Sequence, residues 1–169
     1  PTGRVAAYQA AGDWGKFFVL EQGSPLTPTQ FAVDGIYYKT TSATTCKVTS
    51  TPKGVDAYTG SITIPATVQN DGTTYKVTDI GVQAFYNTSI TSVTLGNNVT
   101  TIGDYAFGFC RSLTSVTLGE NVTTIGTYAF GYCYDLTSIT SRCITPPTLG
   151  TDVFYSVTTG NVALLVPAE

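Results

Sequence analysis

Apolar residues in the second half of the chain return at a step of about 23. Ile80, Ile102, Ile125 and Leu149 hold one position, and Phe85, Phe107, Phe130 and Phe154 hold the next. Ile90, Leu113 and Leu136 form a third column, and Val93, Val116 and Ile139 a fourth. Four columns in phase define a unit that reads S-V-T-L-G-x-N-V-T-T-I-G-x-Y-A-F-G-x-C-x-x-L-T. One such unit cannot bury its apolar side alone, but stacked copies can. Stacking sets each column on itself at about 4.8 Å, the spacing of neighbouring strands. Within one unit, Leu113, Val116 and Leu118 point inward from a short strand, and Gly119 and Asn121 turn the chain. Ile125 then re-enters the core. Tyr128-Ala129-Phe130 predicts a helical turn with Phe130 inside, Ala129 where nothing larger fits, and Gly131 at its end.

Outside the columns the pattern changes. Asp34-Gly35, between alternating apolar residues, predicts a hairpin, and Asn70-Asp71-Gly72 predicts a second turn. Residues 31–79 therefore read as antiparallel strands capping the N-terminal end. Residues 80–169 read as repeats with an atypical last coil. There Cys143-Ile-Thr-Pro-Pro147 breaks the unit, and Val162–Val166 forms an apolar final strand with no polar cover. Residues 1–20 show helical patterning, with Val5, Tyr8, Trp14 and Phe18 on one side. Residues 21–30 carry Gly23, Pro25 and Pro28 and read as a linker. The expected fold is an α/β solenoid with an antiparallel β-hairpin N-terminal cap and a short N-terminal helix. Its period falls in the leucine-rich-repeat range.

Composition narrows the function. Of 169 residues only 11% are charged, against about a quarter in ordinary domains, and Ser and Thr take their place. The formal net charge of −3 argues against nucleic acid, which selects a basic stripe. No apolar run approaches the roughly 18 residues of a membrane span. The chain opens on Pro1 and has no Met, which reads as a segment of a longer, processed product. It has no His, so the commonest general base and metal ligand are missing.

Each candidate chemistry has a plainer reading beside it. Cys110 and Cys133 sit one coil apart, within reach of a disulfide. In-register stacking points both Cβ atoms the same way, which favours a buried thiol ladder, and no disulfide is expected. Cys46 and Cys143 read as buried too. Asp104, Glu120 and Asp135 lie in different columns and no calcium loop occurs, so no metal, cofactor or catalytic group is expected. Asn87, Asn98 and Asn121 open glycosylation sequons that read as coincidence in a Thr-rich repeat. Tyr86, Tyr105, Phe109, Tyr128, Tyr132, Tyr134 and Tyr155 cluster after the Ile-Gly step. Tyr105/Tyr128 and Phe109/Tyr132 recur at the period, which favours packing between coils. Arg111 and Tyr134 break the repeat at outward positions and are the better individual contact candidates. Thr94, Thr117 and Thr140 face solvent on the strands, with Thr91, Thr114 and Thr137 nearby. A hydroxyl-rich sheet of this kind suits a polar, weakly charged partner, such as a glycan or an extended protein segment; β-branched polar residues also simply suit an exposed sheet.

The unit I-G-x-Y-A-F-G-x-C-x-x-L-T-S-V-T-L, over about residues 80–145, resembles the BspA-like leucine-rich repeats of bacterial surface proteins, the Treponema pallidum-type family. FAVDGIYYKTTS and SRCITPPTLGTDVF resemble that family's leading hairpin and trailing element. The resemblance implies an extracellular or surface-displayed chain, some relatives adhering to host extracellular matrix proteins or to other cells. It carries no catalytic residue and no fixed ligand-binding position. It also implies that residues 1–20 are the closing element of a preceding module in a tandem array. End-to-end self-contacts through the C-terminal strand and the N-terminal helix are then expected. Two readings remain open: a non-catalytic binding or adhesion module, and a structural spacer with no ligand of its own.

Overall fold

A computed structural model of the protein describes residues 29–168. The helix expected over 1–20 and the linker up to residue 28 lie outside the described residues. The strands are β1 (Gln30–Val33), β2 (Ile36–Thr40), β3 (Thr45–Val48), β4 (Thr59–Ile64), β5 (Thr67–Asn70), β6 (Thr73–Ile80) and β7 (Ser89–Leu95). They continue as β8 (Thr101–Ile102), β9 (Ser115–Leu118), β10 (Thr124–Ile125), β11 (Ser138–Ser141), β12 (Thr148–Leu149) and β13 (Ala163–Leu165). One sheet runs β1-β2-β3-β6-β8-β10-β12, with β5 also on β6; the other runs β4-β7-β9-β11-β13. The chain alternates between the two sheets, so each circuit lays one strand on each wall.

Coil-to-coil pairing is parallel throughout. Val93 lies beside Val116 and Val116 beside Ile139; on the other wall Ile102 lies beside Ile125 and Ile125 beside Leu149. Alternation along each strand sends these residues inward and the intervening Ser and Thr outward. The inward residues form one core, in which Ile90, Val99, Ile102 and Leu113 are fully buried. Through it runs a stack of rings. Phe85, Phe107, Phe130 and Phe154 follow one another at centroid spacings of 5.1, 5.1 and 5.6 Å, within 8° of parallel.

Among the described residues there is no α-helix, only a 3-10 turn at Thr159–Asn161. The helical turn expected at Tyr128–Phe130 is a turn of another kind. Tyr128 and Tyr132 take φ values of 52° and 61°, and Tyr105 and Phe109 of 53° and 61°. Left-handed residues at every fourth position cannot continue a right-handed helix. The backbone N–H groups also have other partners. Tyr105, Phe107 and Phe109 donate to Thr127, Ala129 and Gly131 of the next coil at 2.8–2.9 Å. Tyr128, Phe130 and Tyr132 do the same to Thr151, Val153 and Tyr155. These bonds make a third hydrogen-bonded wall, so the architecture is a β-rich solenoid.

Both hairpin turns occur. Asp34 and Gly35 have φ of 50° and 77°, and Asp71 and Gly72 of 47° and 76°, the paired positive φ that tight two-residue hairpins need. They join β1 to β2 and β5 to β6, both antiparallel. The segment 31–79 is not antiparallel throughout: β3 pairs parallel with β6, and β4 pairs parallel with β7 of the following coil. At the N-terminal end Tyr58 lies over Phe85, centroids 4.7 Å apart. Its phenol accepts from the Tyr37 N–H at 2.9 Å and donates to the Thr49 carbonyl at 2.8 Å. At Gly96 and Gly119 neighbouring coils come close: a Cβ would stand 2.5 Å from the Ala66 nitrogen at the first and 2.5 Å from the Gly96 carbonyl oxygen at the second.

Candidate binding surfaces

The turns of the third wall carry the aromatic side chains outward. Tyr105 stacks on Tyr128 at 5.1 Å and 3°, and Phe109 on Tyr132 at 4.2 Å and 22°. These pairs are coil-to-coil packing, as their recurrence suggests. The remaining tyrosines close around them. Tyr86 meets Tyr105 and Phe109 edge-on, and Tyr155 meets Tyr128 and Tyr132. They have room because Gly108 and Gly131 occupy the intervening positions; a Cβ on Gly131 would stand 3.0 Å from the Tyr128 ring. The Tyr128 hydroxyl donates to the Asp152 carboxylate at 3.0 Å, and that bond raises its pKa above the ordinary phenol value.

Arg111 and Tyr134 come together at one margin of this cluster. Both are exposed, and the Arg111 guanidinium carbon lies 5.9 Å from the Tyr134 ring centroid, within the range of a cation–π contact. Tyr134 in turn packs edge-on against Tyr132 at 6.2 Å. The result is a continuous surface from Arg111 through Tyr134 and Tyr132 to Phe109 and Tyr155.

Thr94, Thr117 and Thr140 line up on the outer face of the second sheet, each directly beside the next. They are half-buried. Thr63 extends the row through β4, and Ser61, Ser92, Ser115 and Ser138 run parallel to it. The hydroxyls are already engaged in part: Ser92 donates to Ser61 at 2.7 Å, and at the strand entrances Thr114 and Thr137 donate to the carbonyls of Thr91 and Thr114. The structure does not bring this row together with Arg111 and Tyr134.

Cys46, Cys110, Cys133 and Cys143 are free and buried. Cys110 donates its thiol proton to the Phe85 carbonyl at 2.9 Å, and Cys133 to the Phe107 carbonyl at 3.1 Å. Burial raises the pKa of both, away from thiolate chemistry. Among the described residues no group of three or more His, Cys, Asp or Glu could hold a metal ion. Two of the sequon asparagines hold coils together: Asn98 donates to the Ala66 carbonyl and Asn121 to that of Asn97.

A surface that the repeat columns do not single out lies at the C-terminal end. The last coil leaves a cavity of about 800 Å³, walled by Leu118, Ile139, Leu149, Phe154, Leu164 and Val166. Ile144 on its rim is 93% exposed, and Leu164 and Val166 are each 64% exposed. The apolar run 162–166 and the break in the unit at Pro146-Pro147, which also line the cavity, are the available signals in the sequence.

The comparisons with known proteins agree with this architecture. The BspA-type leucine-rich repeat region matches residues 37–161 in six copies. A leucine-rich repeat protein from Bacteroides capillosus is 28% identical, with 82% of this chain and 99% of that chain covered and a TM-score of 0.68. A leucine-rich repeat protein from Bacteroides ovatus is 24% identical over 80% of this chain and 37% of its own, TM-score 0.62. The leucine-rich repeat protein of T. pallidum is 24% identical over 82% of this chain and 64% of its own, TM-score 0.57. No curated protein matches the sequence at a significant level. Six matched copies over most of the chain, in a solenoid with the expected columns, mean that it belongs to the BspA-type leucine-rich repeat family, whose fold suggests a protein-interaction module.

Proposed function

We propose that the chain is a non-catalytic, surface-displayed adhesion module that binds an extracellular protein or glycan at the Arg111–Tyr134 corner. The observation that carries this reading is the exposed cation–aromatic cluster. Arg and Tyr are the side chains in which interface energy concentrates, and here they break the repeat while Tyr105, Tyr128, Phe109 and Tyr132 obey it. Ring-on-ring packing holds Tyr134 in place through Tyr132, so little side-chain freedom is lost on binding. The resemblance to bacterial surface repeats supports extracellular display.

The test is binding of the purified chain to a panel of matrix proteins and glycans, beside an Arg111→Ala/Tyr134→Ala double variant. The expected result is saturable binding that weakens about tenfold or more in the variant. Equal binding by both proteins would move the contact elsewhere; no binding at all would sink the adhesion reading. The Ser and Thr rows favour the second reading, a structural spacer in a tandem-module protein. Their hydroxyls bond to one another and to neighbouring carbonyls, which leaves a uniform face with little to offer a ligand.

A further inference from the structure

We propose that the outer face of the N-terminal cap sheet is a second binding site, in which Lys39, Lys47 and Lys76 hold a sulfated polysaccharide. This goes beyond the Arg111–Tyr134 reading and does not depend on it.

The strand register brings the three lysines together. Tyr38, Cys46, Val48 and Val77 are buried in the core, so alternation sends Lys39, Lys47 and Lys76 to the opposite face. Lys39 of β2 lies directly beside Lys47 of β3. Thr45, two residues before Lys47, lies beside Lys76 of β6. Side chains paired across strands start about 5 Å apart, and diagonal neighbours about 7–8 Å. Lys39 and Lys76 are exposed and Lys47 is half-buried. The Lys and Arg of residues 29–168 are Lys39, Lys47, Lys53, Lys76, Arg111 and Arg142. Half of them therefore sit on this one face.

Folding does not call for such a cluster. Like charges directly opposite each other destabilise a sheet. Lysine often guards an edge strand, but β2, β3 and β6 each have a neighbour on both sides. Asp79 stands beside Lys47, yet its carboxylate accepts from the Thr78 hydroxyl at 2.6 Å. Among the described residues the three ammonium groups have no ion-pair partner. Farther along the same row the repeats place Thr101, Thr124 and Thr148, so this wall forms without charge where the coils simply stack.

The chemistry of the face selects its ligand. Three cations spread diagonally over about 12 Å suit a linear chain with several fixed anionic groups. Ammonium groups act as point charges towards sulfate or phosphate oxygens, whereas Arg is the better partner of a planar carboxylate. Gln30, Thr45 and Thr67 lie beside the lysines in register. Their amide and hydroxyl groups can both donate to and accept from sugar hydroxyls. The net charge of −3 disfavours a polyanion as dense as nucleic acid.

Heparin is the probe, with desulfated heparin and a single-stranded oligonucleotide beside it. Calorimetric titration of the full chain should show saturable heparin binding that weakens about tenfold between roughly 50 and 200 mM salt. Desulfated heparin should bind far more weakly. An exposed ion pair is worth up to about fivefold, so Lys39→Gln/Lys47→Gln/Lys76→Gln should lose about tenfold or more. The matching triple Lys→Arg variant should keep the binding, which separates lost charge from a damaged fold. Arg111→Ala/Tyr134→Ala should bind heparin as the parent chain does. Heparin binding that survives in the Gln variant, or that ignores sulfation, would overturn the proposal. So would tighter binding of the oligonucleotide, loss of heparin binding in Arg111→Ala/Tyr134→Ala, or no heparin binding at low salt.

Discussion

At its N-terminal end the described solenoid closes on a hairpin and a buried phenol; at the other end its last described coil carries apolar column residues around an open cavity. The β1–β2 hairpin pairs antiparallel with β3, and Tyr38 and Thr40 are buried there. Tyr58 ends the ring stack and satisfies two backbone groups with one hydroxyl. None of these residues belongs to a repeat column. At the other end Leu149, Leu164 and Phe154 pack on Ile125, Ile139 and Phe130 of the preceding coil, and among the described residues no further coil follows them. Repeat positions specify how one coil meets the next, and only departures from the repeat can finish a stack.

That contrast can be broken most severely with alkali. Cys46 is pushed up to about 11 and Tyr58 to about 12 by burial, and Tyr38, Cys110 and Cys133 are raised by the same cause. All lie in the closed end or the middle. Each is favoured neutral in the fold, so its contribution is complete below the unfolded pKa, about 8.5 for Cys and 10 for Tyr, and is lost as pH rises towards the folded value. Circular dichroism from pH 8 to 12 should show cooperative unfolding that begins above about pH 9. A stability flat across that range would contradict the burial argument.

Tyr58→Ala should come next, with a loss of about 3–5 kcal/mol by denaturant titration, the scale of a buried aromatic truncated to Ala. Tyr58→Phe keeps the ring and strands the Tyr37 N–H and the Thr49 carbonyl; about 1–3 kcal/mol is expected. If Tyr58→Phe were neutral, the closure would rest on the ring alone. Leu164→Ala, at the equivalent place on the open end, should change stability by no more than about 0.5 kcal/mol in dilute monomer. A large loss there would show that the end is already covered within one chain.

The columns are legible in the sequence because identical side chains must recur wherever identical coils stack. Phe85 to Phe154 and Ile80 to Leu149 align by eye, and Asp34-Gly35 and Asn70-Asp71-Gly72 announce their hairpins through the positive φ they require. The turn after Ile-Gly reads as helical and is not, since Tyr, Ala and Phe in succession carry no signal for left-handed φ. That conformation is imposed by hydrogen bonds to the next coil, a tertiary effect that local propensity does not contain. Tyr58 is invisible in the sequence for a related reason: a residue that finishes a stack has no counterpart to align with. Arg111 and Tyr134 stand out because they disobey their column, and the fold sets one above the other. The Thr row is legible as outward-facing; its engagement with neighbouring hydroxyls and carbonyls is not.

The thiol ladder has a consequence for how such a chain matures. Cys110, Cys133 and Cys143 act as proton donors to carbonyls of the preceding coil, and no covalent bond joins any two of the four cysteines. Assembly of the described fold therefore calls for no oxidant and no disulfide shuffling. A newly made chain can close its coils one after another as they emerge, indifferent to the redox poise of its surroundings.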